Sequence, residues 1–141
     1  MTGKTLEELQ VGETAEFSKT VSESDVYLYA GVTGDFNPAH INEPFAQQTF
    51  FKQRIAHGML MGGLISAVIG TRLPGPGTIY ISQNLSFLGP VNIGDTVTAR
   101  VEVTEIASER KRVTLKTTCT NQKGKVVVDG EAVVSPPKPA K

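Results

Sequence analysis

Two side chains that can carry protons stand five residues apart in a short polar stretch. Asp35 and His40 belong to the segment DFNPAHINEP (35–44), and Asn37 lies between them. A carboxylate and an imidazole in one loop can act as an acid/base pair, in which the carboxylate accepts a proton from water while the imidazole orients that water or shuttles the proton. Because Asp, Asn and Pro are also ordinary loop formers, the spacing alone leaves a purely structural role open.

A second candidate site begins at His57-Gly58, which opens a long uncharged segment. The first backbone N–H groups of a helix have no internal partner and carry partial positive charge, and a glycine there lets a ligand carbonyl approach. Such a position can stabilise an oxyanion. The alternative is that Gly58 eases packing and His57 caps the helix. Ser66 follows two turns later, where its hydroxyl could bind a substrate or bond back to the carbonyl of Gly62.

Other kinds of site have no support in the sequence. It contains neither a Gly-x-Ser-x-Gly elbow nor a Walker motif, and two histidines with one distant cysteine form no zinc pattern. We therefore expect no metal. Cys119 falls in a predicted strand, where we expect it to be a small buried apolar residue.

Composition narrows the classes of protein that these sites could serve. A chain of 141 residues forms one domain, and 39% apolar with 20% charged residues is a globular balance. Equal numbers of basic and acidic residues, 14 each, argue against a nucleic-acid binder. No apolar run is long enough to span a membrane, and the N-terminal residues lack a signal-peptide core. With a single cysteine, these features predict a cytoplasmic protein.

The first half of the chain carries signals that would hold Asp35 in place. Alternation of apolar and polar residues predicts a strand over Thr14–Thr20. Ser22 with Asp25 resembles a capping box, apolar residues follow at helical spacing, and Gly34 is a C-terminal stop, so a helix should end just before Asp35. The prolines and asparagines of 35–44 argue against a long helix, and we expect a short helix over Pro44–Thr49.

The segment over 56–75 predicts a buried helix. It has no charged residue from Gly58 to Gly70 and is apolar on nearly every face. Pro74 and Gly75 end it. Each interior glycine weakens a helix by about 1 kcal/mol relative to alanine. This cost is tolerable where small side chains let a sheet or a second chain approach the helix backbone.

The second half of the chain predicts a sheet. Its four strand candidates are Thr78–Phe87, Thr96–Ile106, Arg112–Thr120 and Val126–Val134. A sheet with one apolar face needs cover, and an apolar helix needs wrapping. The sequence therefore predicts an α+β domain over residues 1–135, in which a curved antiparallel sheet of five or more strands wraps around the central helix. We expect the tail, 136–141, to be flexible and to have no packing role.

Three stretches together resemble the MaoC-like hydratases, the (R)-specific 2-enoyl-CoA hydratases with a hotdog fold. They are DVYLYAGVTGDFNPAH (25–40), FKQRIAHGMLMGGLISAVIG (51–70) and LSFLGPVNIGDTV (85–97), and the resemblance covers about 25–134. The chain is most similar to the small single-domain type that feeds polyhydroxyalkanoate synthesis from fatty-acid β-oxidation.

The resemblance implies a role for each motif residue. Asp35 and His40 match the catalytic pair, and the N–H of Gly58 would polarise the thioester carbonyl. Ser66 matches a helix serine found near the pair in some members. The residues predicted to bind substrate are Asn37, His57, Gly58 and Ser66. The implied reaction hydrates trans-2-enoyl-CoA to (R)-3-hydroxyacyl-CoA in a homodimer, with no cofactor because coenzyme A is part of the substrate.

Three other functions stay open at this point. A thioesterase of the hotdog fold would hydrolyse the same thioester, but such enzymes usually place an acid on or beside the central helix, and the predicted helix has no carboxylate. A 3-hydroxyacyl-[acyl-carrier-protein] dehydratase would share the chemistry and differ in the carrier. A non-catalytic acyl-binding subunit would have no need of Asp35 and His40.

Overall fold

The two halves of the chain fold differently in the computed structural model, which describes residues 1–140. A 3-10 turn at Leu6–Glu8 precedes the first strand. The helices are α1 (Glu23–Thr33), α2 (Pro38–Ile41), α3 (Glu43–Gln47) and α4 (Gly58–Thr71). The strands are β1 (Thr14–Thr20), β2 (Ile79–Phe87), β3 (Thr96–Ala107), β4 (Arg112–Thr120) and β5 (Val126–Ser135).

All five strands form one antiparallel sheet in the order β1-β3-β4-β5-β2, so that β1 and β2 are its edges. The alternation in β3 puts Val97, Ala99, Val101 and Val103 fully inside the core. These side chains belong to one apolar cluster with the buried residues of α4. The predicted α+β architecture, a sheet wrapped around a central helix, is therefore confirmed.

Helix α4 is buried on one face only, which corrects the expectation of a helix buried on nearly every face. Its buried side chains are Met61, Leu64, Ile65, Val68 and Ile69. The opposite face is open, with Met59 57% exposed and with Gly63, Ser66 and Ala67 also exposed. Both faces lack charge, so the sequence could not tell them apart. No helix within residues 1–140 is long and apolar enough to cross a membrane.

Local hydrogen bonds end α1 directly before Asp35. The Ser22 hydroxyl accepts a hydrogen bond from the Asp25 N–H, and the Asp25 carboxylate accepts one from the Ser22 N–H, so the predicted capping box is confirmed. Gly34 has a φ of 81° and terminates the helix in the left-handed conformation that glycine adopts most easily.

Residues 35–44 form no long helix, as predicted, but they include the short helix α2. Pro38 occupies its first turn, and the Asn37 side chain accepts a hydrogen bond from the Ala39 N–H. Helix α3 begins after Asn42, slightly earlier than the predicted Pro44–Thr49. Both helices begin with an asparagine N-cap and have a proline in the first turn. Because asparagine and proline are also common in loops, the sequence alone predicted a loop over 35–44.

The predicted tail begins with packed residues. Pro136 is buried, and Pro137 lies so close to Gly77 that a Cβ on the glycine would stand 2.9 Å from the Cβ of the proline. The prediction that 136–141 has no packing role is therefore wrong for its first two residues. Lys141 lies outside the described residues.

Candidate active site

Three elements bring Asp35, His40 and His57 together. Asp35 follows the end of α1, His40 lies in α2, and His57 is the N-cap residue of α4. One side-chain atom from each residue can be chosen so that the three atoms lie within 4.8 Å of one another. The structure thus brings the predicted acid/base residues together, and it adds His57 to them.

His40 is held with one ring nitrogen bonded to the backbone. It is 8% exposed, and its Nδ1 lies 2.7 Å from the carbonyl oxygen of Ile55. Because a carbonyl only accepts, Nδ1 carries the hydrogen and Nε2 keeps its lone pair in the neutral ring. Ile55 itself is fixed by a bridge to Asn92 and by donation from its N–H to the Ala39 carbonyl. The base nitrogen of His40 can therefore accept a hydrogen bond or a proton.

His57 is held in the opposite tautomer. Its Nε2 lies 2.9 Å from the backbone carbonyl oxygen of Asp35, so Nε2 donates and Nδ1 has the lone pair. Nδ1 is buried and has no hydrogen-bond partner among residues 1–140. An unpaired buried acceptor costs about 1–3 kcal/mol. The side chain makes no capping hydrogen bond, so the alternative in which His57 caps α4 is wrong for the side chain.

The carboxylate of Asp35 is exposed while its backbone is fixed on both sides. Its N–H donates to the Thr33 hydroxyl at 3.2 Å, and its carbonyl accepts from His57. One carboxylate oxygen accepts a hydrogen bond from the Asn37 N–H at 3.2 Å, which leaves the rest of the group free. A water or a substrate can therefore reach a carboxylate whose position is defined by its neighbours.

An apolar cavity of about 550 Å³ opens beside Asp35, His57 and Gly58. Most of its wall is aromatic or aliphatic, and six of these side chains are Phe50, Phe51, Met61, Phe87, Leu88 and Val128. A cavity with an apolar wall and a few polar groups at one place fits a ligand that joins an apolar chain to a reactive polar end.

Gly58 is the first residue of α4 and lines the same cavity. A Cβ at this position would lie 2.8 Å from two ring atoms of Phe87, so only glycine fits without displacing the ring. The N–H of a first helical residue has no partner within its own helix. This N–H is therefore available to a ligand oxygen in the cavity, which agrees with the oxyanion position predicted for Gly58.

Two other predicted residues are placed differently. Ser66 lines a second cavity, of about 420 Å³, between α4 and β2, and not the cavity beside Asp35, although Met59 lines both. Within the described range, its hydroxyl makes no hydrogen bond to the carbonyl of Gly62. The Asn37 side-chain oxygen is occupied by the cap of α2. Substrate binding by Ser66 and Asn37 stays a prediction.

Arg54 connects helices α1 and α3 near the site, and no pattern in the sequence predicts this role. Its guanidinium donates to Glu23 at 2.6 Å, to Glu43 at 3.1 Å and to the Tyr27 hydroxyl at 3.0 Å. The hydrogen bond with Glu23 is the main cause that raises the pKa of Arg54. These contacts join α1 and α3 to the chain just before α4.

Asp35, His40 and His57 are also the one group of three possible metal ligands that residues 1–140 contain. One nitrogen of each ring is already bonded to a backbone carbonyl, so the carboxylate, His40 Nε2 and His57 Nδ1 would have to supply the ligands. We assign no metal to this group, and the expectation of a metal-free site stays a prediction.

Known proteins are similar to this chain in both sequence and fold. The model of the MaoC like domain matches residues 7–125. The (R)-specific enoyl-CoA hydratase of Rhodospirillum rubrum is 60% identical over 131 residues, which are 93% of this chain and 90% of that protein.

Two solved structures superpose closely on the chain. R-hydratase PhaJ1 from Pseudomonas aeruginosa, in the unliganded form, has a TM-score of 0.92 and 48% identity, and the alignment covers 98% of this chain and 88% of that one. The (R)-hydratase from A. caviae involved in PHA biosynthesis has a TM-score of 0.89 and 45% identity, with 92% and 98% covered. The fold is the hotdog fold that the sequence predicted.

Proposed function

The chain belongs to the MaoC-like family, and on this premise we propose that it hydrates trans-2-enoyl-CoA to (R)-3-hydroxyacyl-CoA. The observation that carries the proposal is the meeting of Asp35 and His40 beside an apolar cavity that Gly58 also lines. The acyl chain would occupy the apolar wall, and the thioester would lie at the polar end. The activity named for the 60% identical relative supports the same reaction.

The proposed mechanism divides the proton transfers between Asp35 and His40. Hydration adds the oxygen of water to C3 and a proton to C2. The exposed Asp35 carboxylate acts as general base on the water that attacks C3, and His40 Nε2 holds the same water and shares the proton that is delivered to C2. The proton removed from water equals the proton given to C2, so the pair returns to its starting state.

The N–H of Gly58 would stabilise the charge that develops on the thioester oxygen. Attack at C3 pushes electrons towards the carbonyl, which becomes enolate-like. A backbone donor at a helix N-terminus meets this charge without reorganisation, and one such donor is worth about 10²–10³ in kcat. Phe87, packed against the glycine, lines the same cavity and would lie beside that oxygen.

A test of this function uses crotonyl-CoA. We expect the enoyl-thioester absorbance to fall on adding the protein, and an (R)-specific dehydrogenase to oxidise the product. Formation of the (S)-product would contradict the stereochemistry. Release of free thiol would instead favour the thioesterase, and turnover only with enoyl-[acyl-carrier-protein] would favour the dehydratase.

We also propose that the active form is a homodimer joined through β2 and the open face of α4. Strand β2 is an edge of the sheet, and its exposed residues include Ile79, Tyr80 and Ile81. Beside it, the exposed face of α4 offers Met59. An unpaired apolar edge next to an open helix face can be covered by a second copy, whose own β2 would continue the sheet.

Molecular mass in solution tests the dimer. We expect light scattering after size exclusion to give twice the chain mass for the wild type and a lower mass for Ile81→Asp. Val11→Asp is the matched control, because Val11 is 64% exposed and precedes the opposite edge strand β1. A monomeric wild type, or equal effects of both variants, would contradict this interface.

The pathway is a separate part of the proposal. Since the A. caviae neighbour is involved in PHA biosynthesis, we propose that the product here supplies polyhydroxyalkanoate synthesis in the cytoplasm. Co-expression with a polymer synthase in a fatty-acid-fed host that lacks its own hydratase should yield polymer. Polymer yield that does not depend on the protein would overturn this assignment.

A further inference from the structure

Three aromatic rings from three helical elements form a column at the site, in which neighbouring rings are tilted by 48° and 31°. The ring of Tyr29, in α1, lies 4.7 Å from the ring of His57 between centroids. The ring of His57 lies 3.9 Å from the ring of His40 on α2. His57 is the middle ring, and it is 1% exposed. The position of the His40 ring therefore depends on His57.

The same side chain also fixes Asp35. The Nε2–H of His57 donates to the Asp35 carbonyl, while the ring face of His57 supports His40. His57 thus contacts both members of the acid/base pair. It leaves their reactive groups, the exposed Asp35 carboxylate and the Nε2 of His40, free for water or substrate.

We propose that His57 is a positioning residue, which sets the distance between the Asp35 carboxylate and the His40 base nitrogen. This inference rests on the proposed hydration reaction. Its role differs from the substrate binding expected from the sequence, because His57 acts through Asp35 and His40. A small displacement of either catalytic group should lower kcat more than it changes KM, because most of the apolar cavity wall is made by other side chains.

The unpaired Nδ1 of His57 argues against a role in stability alone. A residue selected only for packing would not leave a buried acceptor without a partner. A phenylalanine would keep a ring in the column and remove that acceptor. The partly buried Asp35 carbonyl would lose its donor, but the unpaired Nδ1 would be removed with it, so the two effects on stability offset each other. Removal of the donor should therefore affect catalysis more than stability.

The experiment compares His57→Phe, His57→Gln and His57→Asn with the wild type in kcat, KM and Tm, with crotonyl-CoA as substrate. Phenylalanine keeps the ring and loses the donor. Glutamine places an amide N–H where Nε2 lies, and asparagine is too short to do so. Val26→Ala is the control, because Val26 is fully buried in α1 within the apolar core and has no role in the proposed mechanism.

We expect His57→Phe to lower kcat by about 10- to 100-fold, with KM within about threefold and Tm within a few degrees of the wild type. His57→Gln should recover more of the kcat than His57→Asn. This comparison tests the positioning role even if His57→Phe does not fold. Val26→Ala should lower Tm and leave kcat close to the wild-type value.

Two results would overturn the inference. One is wild-type kcat in His57→Phe, or equal kcat in the Gln and Asn variants. The other is a loss of kcat that follows Tm across all the variants, Val26→Ala included. A wild type that hydrates no enoyl thioester would instead overturn the proposed function, and the positioning role with it.

Discussion

The core of the sheet and the segment that carries the proposed catalytic groups are held together in different ways. On β3 and β4, alternate residues are fully buried, among them Val101, Val103 and Leu115. The catalytic segment, residues 22–57, buries few side chains and exposes several large apolar ones, which include Leu28, Val32, Phe36 and Phe50. Its order comes from caps, from the Arg54 hydrogen bonds and from the two histidine–carbonyl contacts.

With the proposed mechanism, this difference means that stability and chemistry are placed in separate parts of one small domain. Burial of apolar surface contributes most of the stability, so variants in the core should act on unfolding. The catalytic segment holds polar groups in a defined arrangement, and variants of those polar groups should act on turnover.

The largest effect on stability is expected from Leu115→Ala. Leu115 is fully buried on β4, and truncation of a buried leucine costs about 2–5 kcal/mol through lost burial and the cavity that is left. The free energy of unfolding, measured in urea, should fall by this amount while kcat of the folded protein stays close to that of the wild type. A parallel loss of kcat at a temperature where the variant is folded would break the comparison.

A second effect concerns the pH dependence of the core. Burial raises the pKa of Cys119 from an ordinary value of 9.0 to about 12. The thiol of the unfolded chain ionises at lower pH than the buried thiol. The contribution of the buried thiol to the free energy of unfolding is therefore fully present below pH 9 and should be lost as the pH rises towards 12, by at most about 1.4 kcal/mol per pH unit. Urea unfolding at several pH values would measure this slope.

The matched control for that slope is Cys119→Ala. The variant keeps every lysine and tyrosine that titrates at high pH and removes only the buried thiol. The wild type should lose more stability than the variant between pH 9 and 11. Equal slopes in the two proteins would show that the thiol is not protected in the way its burial implies.

The smallest effect is expected at the start of α1. Ser22→Ala removes the cap hydrogen bond to the Asp25 N–H, and such a loss costs about 1 kcal/mol. Ser22→Asn is the control, because asparagine caps about as well as serine. The unfolding free energy should fall only in the alanine variant. A loss of 3 kcal/mol or more, well above the usual range for a cap, would mean that the catalytic segment contributes more stability than its burial suggests.

Much of the core could be predicted from the sequence because its signals are local. The bounds of β1 and β4 match the structure, since period-two alternation and flanking turns define both. Gly34 ended α1 where expected because its left-handed conformation is a local requirement. Cys119 is buried and free, as predicted from its place in a strand.

The rest depended on contacts between distant residues. His57 donates a hydrogen bond to the carbonyl of Asp35, 22 residues earlier, and no local sequence pattern predicts such a bond. Arg54 reaches Glu23 across 31 residues. The residues on the open face of α4, which include Ser66, are apolar or small, as are those on the buried face. Hydrophobic patterning therefore could not separate the two, and it could not show that Ser66 lies in a different cavity from Asp35.

The central claim is that the catalytic segment supplies the chemistry without supplying much of the stability. The most direct test measures kcat on crotonyl-CoA together with Tm for Asp35→Asn. The amide keeps the size of the side chain and cannot act as a general base, so we expect kcat to fall by about 10²–10⁴-fold with Tm unchanged. A kcat within a few fold of the wild type, or a loss of kcat explained by a lower Tm, would contradict this account.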